Sequence, residues 1–352
     1  MSRHRHNANI AQNKQAMTDF IDAWTHIFPP AYFERLKTLA TATGPLKRWM
    51  TLHSLYDLDT RFALMDRFEG YSQVLTPSMP AFEDLGDAGE SADLARLMND
   101  GLAELVDLYP ARFPAHVAGL SLLDADLAQR EITRAVSNGA CGFQLPTHVR
   151  GKPLDHPDFR PVFDAIAETG LAIWLHPIKG PVPDYPTEDK SKFEIWWCFG
   201  WPYESSAAMA RLVFSGLFDR HPQLRVLTHH CGAMIPYFSG RIEQGWGLEM
   251  GARTPPADAH LLPGKLKRPV IDYFQSFHAD TALSGATAPL RCGLDFFGGS
   301  NVVFASDFPF DAEGGAYLVR ETLRSIGDLN LDDKSASAIR SGNIKTLLKP
   351  AR

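Results

Sequence analysis

Short apolar runs alternate with segments of helical periodicity along almost the whole chain, and this alternation constrains the fold more than any other feature. The segment from Ser91 to Leu108, for example, places its leucines broadly on one face of a helix. Eight runs are candidate strands: residues 20–24, 73–75, 117–122, 142–145, 171–175, 224–228, 277–281 and 302–305. Because each strand is followed by a helical segment, the strands are predicted to be parallel and joined by crossover helices.

Eight strand–helix units are the number that a (β/α)8 barrel needs, and 352 residues fall within the usual size of that fold. We therefore predict an α/β protein of the TIM-barrel class, with an insertion after strand one and a long loop after strand five. A doubly wound open sheet is the alternative, but its Gly-x-Gly-x-x-Gly fingerprint does not follow the first strand. Residues 1–17 are predicted to be a polar N-terminal extension, and residues 18–352 a single barrel domain.

The charge balance and the cysteines exclude several classes of partner. Lysine and arginine total 35 while aspartate and glutamate total 41, so the net charge is −6. Nucleic-acid and anionic-membrane binders need a basic face, so neither partner is expected. No apolar run approaches the ~18 residues of a membrane-spanning helix. The four cysteines form no Cys-x-x-Cys pair, which is typical of thiols in a reducing compartment and predicts a cytoplasmic location.

Aromatic side chains crowd the connection that follows the fifth candidate strand. This connection runs from residue 177 to about residue 205, which is long for a loop of this fold. Its rings belong to Trp196, Trp197, Phe199, Trp201 and Tyr203. Two interpretations stay open: an apolar lid over the barrel mouth, or rings that fill a surface or subunit contact.

Polar residues with metal-ligand chemistry stand at the ends of four candidate strands. Strand one ends at His26, strand five at His176, strand six at His229-His230, and strand eight is followed by Asp307. Active sites of this fold lie at the carboxyl ends of the strands, so these side chains are expected to converge. A single histidine at a strand end is more often structural, but several on different strands have the chemistry of a zinc or manganese site.

Several motifs that surround these residues form a recognisable set. They are Ile21-Asp22-x-x-x-His26-x-x-Pro29, Trp174-Leu175-His176-Pro177, Tyr203-Glu204-Ser205-Ser206, His229-His230-Cys231-Gly232 and Phe304-Ala305-Ser306-Asp307. With them the sequence resembles, from about residue 20 to 347, the amidohydrolase-related family. That family contains aminocarboxymuconate-semialdehyde decarboxylase, γ-resorcylate decarboxylase and other aromatic acid decarboxylases, along with oxalomesaconate-type hydratases.

The resemblance implies specific roles for residues of this chain. His26, His176 and Asp307 match the metal ligands of the family, and His230 matches its catalytic histidine. Arg241, eleven residues after His230, matches an arginine that reaches the carboxylate of a substrate bound in the neighbouring subunit, which implies a homodimer.

Arg61 is the other arginine to which the resemblance gives a role, because it could match a second substrate-binding arginine of the family. The alternative for both Arg61 and Arg241 is a solvated charge on a helix surface.

The first strand departs from the family pattern at Trp24. The family carries His-x-His or Glu-x-His there, and residues 24 and 26 project to the same side of a strand. An indole N–H has no lone pair for a metal, so Trp24 is instead a candidate to shape the substrate pocket or to plug the barrel floor. Three ligands still suffice for a catalytic site with one open position, so we predict one divalent ion, zinc or manganese. A metal-free site is the alternative.

The His229-His230 pair raises the question of which ring enters the site. Adjacent strand residues point to opposite faces, so only one of the two is expected to look into the barrel, and the resemblance selects His230. His278 and Asp280 share one face near the end of strand seven, and they are either supports for the site or buried hydrogen-bonded residues.

The expected function is therefore non-oxidative decarboxylation of an aromatic or unsaturated carboxylic acid. The divalent ion would bind the substrate carboxylate, and His230 or Asp307 would handle the proton. The alternatives are a metal-dependent hydrolase or hydratase acting on a lactone, an amide or a carbon–carbon double bond, and a metal-free binding protein.

Overall fold

The computed structural model describes residues 19–39, 49–249, 253–261 and 266–351. The predicted extension at residues 1–17 lies outside the described residues. The division into an extension and one barrel domain therefore stays a prediction.

The strands form two parallel sheets and one small antiparallel hairpin. One sheet has the order β1-β2-β3, the other has the order β10-β9-β8-β5-β4, and β6 pairs with β7 in the hairpin. The strand bounds are β1 Phe20–Ile27, β2 Tyr71–Pro77, β3 Ala115–His116, β4 Ala118–Gly119, β5 Gly142–Pro146, β6 His148–Val149, β7 Lys152–Pro153, β8 Ala172–His176, β9 Val226–Thr228 and β10 His278–Ala279.

The two parallel sheets join into a closed barrel. β3 and β4 are consecutive parts of one extended segment, which links β2 on one side to β5 on the other. Parallel bridges from Val302 to Ala279 and from Phe308 to Thr25 place the eighth segment between β10 and β1. The predicted TIM-barrel fold is confirmed, although the eighth segment pairs through isolated bridges and not as a regular strand.

The helices surround this barrel. They are α1 Pro30–Leu39, α2 Leu58–Met65, α3 Ala88–Leu108, α4 Ala125–Ser137, α5 Arg160–Thr169, α6 Ile195–Cys198, α7 Gly200–Phe214, α8 Leu217–Arg220, α9 Ser239–Ile242, α10 Val270–Gln275, α11 Thr287–Phe297, α12 Ala316–Gly327, α13 Asp333–Ser337 and α14 Asn343–Leu347. Among the helices of the described residues, none combines the length and the apolar character needed to cross a bilayer.

Two layers of apolar side chains, one inside the barrel and one outside it, explain why the strands appear in the sequence as short hydrophobic runs. Trp24, Val74, Trp174 and Leu227 belong to a cluster that fills the barrel interior. A larger cluster, which includes Phe143, lies between the strands and the helices. The strands of the two parallel sheets are therefore largely buried on both faces, as parallel sheets covered by helices require.

The connection after β8 contains no helix or strand from residue 177 to residue 194. Phe193 is 89% exposed and Phe199 is 72% exposed, whereas Trp201 packs near the barrel mouth with its ring 5.8 Å from that of His176. The rings of this connection therefore divide between the molecular surface and the mouth of the barrel.

Candidate active site

The strand-end residues converge at the carboxyl-terminal mouth of the barrel. Asp307 is the common neighbour: its Oδ1 atom is 3.4 Å from Nε2 of His26 and 3.4 Å from Nε2 of His229. Its Oδ2 atom is 3.7 Å from Nε2 of His230. The His176 ring lies 5.1 Å from the His26 ring. Residues scattered over about 280 positions of sequence thus share one site.

Backbone carbonyls orient two of these histidines. Nδ1 of His26 lies 2.7 Å from the carbonyl oxygen of Pro77, and Nδ1 of His176 lies 2.7 Å from that of Pro177. A carbonyl only accepts hydrogen bonds, so Nδ1 carries the proton in both rings and each Nε2 keeps its lone pair. Both rings are thereby prepared to act as ligands through Nε2.

His229 and His230 both face the site, so the prediction that only one of them could was wrong. The reason is that β9 ends at Thr228, before either histidine, and the alternation of a strand no longer applies. His230 adopts a positive φ of 54°. This turn brings its ring parallel to that of His229, with centroids 3.9 Å apart.

Asp280 supports His229 from the end of the neighbouring strand. One oxygen of its carboxylate forms a short hydrogen bond with Nδ1 of His229. The other oxygen accepts the backbone N–H groups of Cys231 at 2.9 Å and of Ala282 at 3.1 Å. Of the two interpretations of Asp280, the supporting contact is the one observed.

Opposing effects set the charge states of the site. Burial would lower the pKa of His229, but the carboxylates of Asp280 and Asp307 overcome this effect and raise that pKa to about 9. Burial would raise the pKa of Asp307, but the adjacent histidine rings, His229 above all, hold it well below its usual value. Burial lowers the pKa of both His176 and His230, and the nearby histidines lower it further.

Trp24 is fully buried in the barrel interior and points towards the histidines, as its spacing from His26 predicts. Its ring stacks on that of His229 with a centroid distance of 4.1 Å and an angle of 18° between the planes. It also lies 6.0 Å from the ring of His176. Trp24 therefore forms the floor of the site beneath the histidine cluster.

Arg61 is not a solvated helix charge, because its side chain is completely buried. Its Nε donates to Gln73 at 2.7 Å, and its Nη1 donates to the backbone carbonyls of His26 at 2.8 Å and Ser54 at 3.2 Å. The guanidinium also stacks over the Phe308 ring at 4.7 Å. Arg61 thus holds the backbone beneath a site residue, and its predicted contact with substrate remains untested.

Arg241 lies exposed on α9, which follows the exposed side chains of Tyr237 and Phe238. Its predicted role, contact with a substrate in a second subunit, is not tested by the structure of one chain.

A cavity beside His176 offers space next to the cluster. It has a volume of about 350 Å³, open to solvent, and is lined in part by residues 77–83. Gln144 lines it as well; its Nε2 donates to the carbonyl of Pro77, while its Oε1 is buried without a hydrogen-bond partner. Two aromatic rings also lie near the cluster. The Trp201 ring centroid is 6.5 Å from that of His230, and the Phe310 ring centroid is 5.2 Å from that of His26. The site is thus a polar centre with aromatic walls.

The donor atoms fit a divalent metal ion. Ligand atoms of His26, His176 and His229 all lie within 4.8 Å of one another, and those of His229, His230 and Asp307 form a second such group. Nε2 of His26 and Nε2 of His229 are buried and make no hydrogen bond. Imidazole nitrogens combined with a carboxylate suit zinc, manganese and related divalent ions.

Comparison with known proteins places this site in a family. The family model described as amidohydrolase matches residues 21–349 of the chain. The chain belongs to the amidohydrolase family. This match covers every residue of the candidate site.

Similar proteins of the amidohydrolase family are decarboxylases. The chain is 31% identical over 295 residues to γ-resorcylate decarboxylase from Rhizobium radiobacter, a match that covers 80% of this chain and 86% of that protein. Among solved structures it is similar to 5-carboxyvanillate decarboxylase from Sphingomonas paucimobilis. That match has a TM-score of 0.78 and 26% identity, and covers 94% of this chain and 99% of the other.

A third similar protein was crystallised with a metal. It is dihydroxybenzoic acid decarboxylase from Polaromonas sp. JS666, whose structure contains bound manganese and the inhibitor 2-nitroresorcinol. The TM-score is 0.73 at 25% identity, with 94% of this chain and 97% of that chain covered.

Proposed function

We propose that this member of the amidohydrolase family is a non-oxidative decarboxylase of an aromatic or otherwise unsaturated carboxylic acid, acting with one divalent metal ion. The observation that carries the proposal is the convergence of His26, His176 and His230 on Asp307 at the barrel mouth. The decarboxylase relatives support the same reaction class.

The metal would be held by His26, His176 and Asp307. When bound, such an ion supplies a Lewis acid and a template for the substrate carboxylate and an adjacent oxygen. His26 and His176 are fixed for this purpose by their carbonyl partners, which leave Nε2 free to bind. Either zinc or manganese suits this donor set.

The proton would be moved by His230 and Asp307. A proton is added to the ring carbon that bears the carboxylate, the bond from that carbon to the carboxylate breaks, and its electron pair stays with the ring as carbon dioxide leaves. No oxidant or reductant is consumed. His230 suits this role because its ring is 20% exposed to the mouth and lies beside the Asp307 carboxylate.

The rings around the cluster would orient the substrate. Trp201 lies beside His230, Phe310 lies beside His26, and Trp24 stacks on His229. Aromatic faces at these positions favour a flat, unsaturated substrate and displace water from the reacting carbon.

Carbon dioxide release tests the proposal. Purified enzyme is incubated with a panel of hydroxybenzoates and muconate-like acids, and we expect carbon dioxide from at least one of them. In heavy water the product should carry one deuterium at the vacated carbon. His230→Asn should lower kcat by about 100-fold or more, whereas His156→Asn, at the surface, should leave it unchanged. Water addition without carbon dioxide release would show a hydratase or hydrolase instead.

Metal removal tests the role of the ion. Dialysis against a chelator should abolish carbon dioxide release, and adding manganese or zinc should restore it. The metal that restores the higher rate identifies the preferred ion. Full activity after complete removal of metal would favour the metal-free alternative.

The proposal includes a homodimer in the cytoplasm, with Arg241 of one subunit reaching the substrate carboxylate of the other. Arg241 is exposed, and the nearby Tyr237 is 79% exposed, so this surface is available to a second copy of the chain. Arginine suits the role because its two parallel N–H groups match a carboxylate. The cytoplasmic location rests on the cysteine usage alone.

A further inference from the structure

His229 directs a buried ring nitrogen at the Asp307 carboxylate. Its side chain is completely buried, and its Nε2 lies 3.4 Å from Asp307 Oδ1 without making a hydrogen bond. An imidazole lone pair directed at a carboxylate is unfavourable unless a cation is shared between them. The geometry therefore requires either a proton or a metal ion at this nitrogen.

Three histidines present the same atom to the same centre. In His26, His176 and His229, Nδ1 is bonded to an acceptor, so each ring directs Nε2 inward. The acceptor for His229 is a carboxylate, which raises the basicity of the ring further than a carbonyl does. This pattern of supported Nδ1 and free Nε2 is the usual arrangement of metal-bound histidine.

The position of Trp24 explains why a ligand from the turn after β9 would be needed. Trp24 occupies the strand position, two residues before His26, from which a second ligand of β1 would project, and its indole cannot bind a metal. The same indole lies flat against His229 at 4.1 Å. Trp24, which takes the place of a metal donor on β1, thus packs on His229, which can supply a donor instead.

His230 faces a different oxygen of Asp307. Its Nε2 is 3.7 Å from Oδ2, whereas Nε2 of His26 and Nε2 of His229 face Oδ1, and its ring stacks on that of His229 with centroids 3.9 Å apart. The two adjacent histidines can therefore divide the work, one binding the ion and the other moving the proton.

We propose that His229 is a metal ligand that replaces the β1 ligand lost at Trp24, so that His26, His176, His229 and Asp307 bind the ion together. This inference rests on the divalent ion of the proposed function. Asp280 acts as the positioning residue of the new ligand, and Trp24 fixes the plane of its ring.

Metal binding by the full chain tests the inference without reference to activity. Protein stripped with a chelator is titrated with Mn²⁺ or Zn²⁺ by calorimetry. We expect His229→Ala to weaken binding by about 100-fold or more, and His230→Ala, the adjacent control, to weaken it by less than about tenfold. Equal effects of the two substitutions would overturn the assignment.

A rescue variant and a direct measurement guard against misfolding. Adding Trp24→His to His229→Ala should restore at least part of the metal affinity, because a donor returns to β1. In the unmutated protein, X-ray absorption at the metal edge should report three imidazole ligands. Two imidazoles, or no metal bound at all, would overturn the inference.

The outcomes also separate this inference from the proposed function. Metal bound through three imidazoles without carbon dioxide release from any substrate would contradict the decarboxylase and leave the His229 assignment standing. Carbon dioxide release by a protein that binds no metal would overturn the His229 assignment and the metal of the proposed function, and would leave the decarboxylation standing.

Discussion

The buried guanidinium of Arg61 shows how a single side chain can support a site that it does not enter. It satisfies the carbonyls of His26 and Ser54 and the amide of Gln73, all within the protein interior. A buried acceptor that loses its donor keeps its full desolvation cost, and here three acceptors depend on one group.

We expect Arg61→Met to lower the free energy of unfolding by about 3 kcal/mol or more, because it leaves these acceptors unpaired. Urea denaturation measures the change. Arg67→Met is the control: this side chain is 51% exposed, so its substitution should change stability by less than about 0.5 kcal/mol. Equal losses in the two variants would contradict a supporting role for Arg61.

The pairing of His229 with Asp280 predicts a pH dependence of stability in the metal-free protein. The pKa of His229 is raised to about 9 in the folded state, against a usual value near 6.5. A raised histidine pKa stabilises the fold fully below pH ~6.5, and this stabilisation is lost as the pH rises through about 9.

After chelation, the free energy of unfolding should therefore fall between pH 7 and 8.5, where the histidines with lowered pKa values are neutral in both the folded and unfolded states. Asp280→Asn should flatten this part of the profile. Chemical denaturation across the pH range provides the measurement, and an unchanged slope in the variant would refute the assignment of the pairing.

The turn after β9 depends on close packing against α11. Cys231 lies in that turn, and a Cβ atom added at Gly293 of α11 would come 2.2 Å from its sulfur. Helix interiors usually gain stability when glycine becomes alanine, so this position is an informative exception.

Gly293→Ala should destabilise the protein by about 1–3 kcal/mol and reduce activity, because the displaced Cys231 shifts the turn that carries His230. Gly327→Ala, at the end of α12, meets no neighbour within 4 Å and should be neutral or stabilising by up to about 1 kcal/mol. Thermal unfolding and kcat of both variants provide the comparison. A Gly293→Ala variant with unchanged stability and activity would contradict this prediction, because it would show that the turn accommodates the added methyl group.

The elements differ in how far the sequence could predict them. Strand positions were predictable because burial on both faces makes β1 and β8 short, largely apolar runs. The early end of β9 was not, because it depends on the left-handed conformation of His230 and Cys231 and on the room that Gly293 leaves for the turn. That local geometry decides which histidines enter the site.

For the whole molecule, alternating strands and helices were enough to predict a closed parallel barrel, and the fold then implied where polar strand ends meet. The resemblance supplied candidate roles, but it could not show that Arg61 is buried or that Trp24 stacks on His229. Both facts depend on contacts between distant segments, which no local pattern encodes.

The assembly makes one further prediction. If Arg241 serves the neighbouring subunit, Arg241→Ala and His230→Ala are each inactive alone but complement each other in a mixed dimer. One of the two sites in that dimer then has both residues, so subunits mixed equally should recover about a quarter of the unmutated activity. Sedimentation should show a dimer. No recovery in a mixture proven to exchange subunits would place Arg241 outside the site.

The central claim is that side chains from β1, β8, the turn after β9 and the eighth barrel segment share one divalent ion. Anomalous diffraction from crystals grown with Mn²⁺ tests it most directly. We predict a single strong peak at about 2.0–2.3 Å from Nε2 of His26, His176 and His229 and from a carboxylate oxygen of Asp307. Crystals saturated with manganese that show no peak at the barrel mouth would contradict the account.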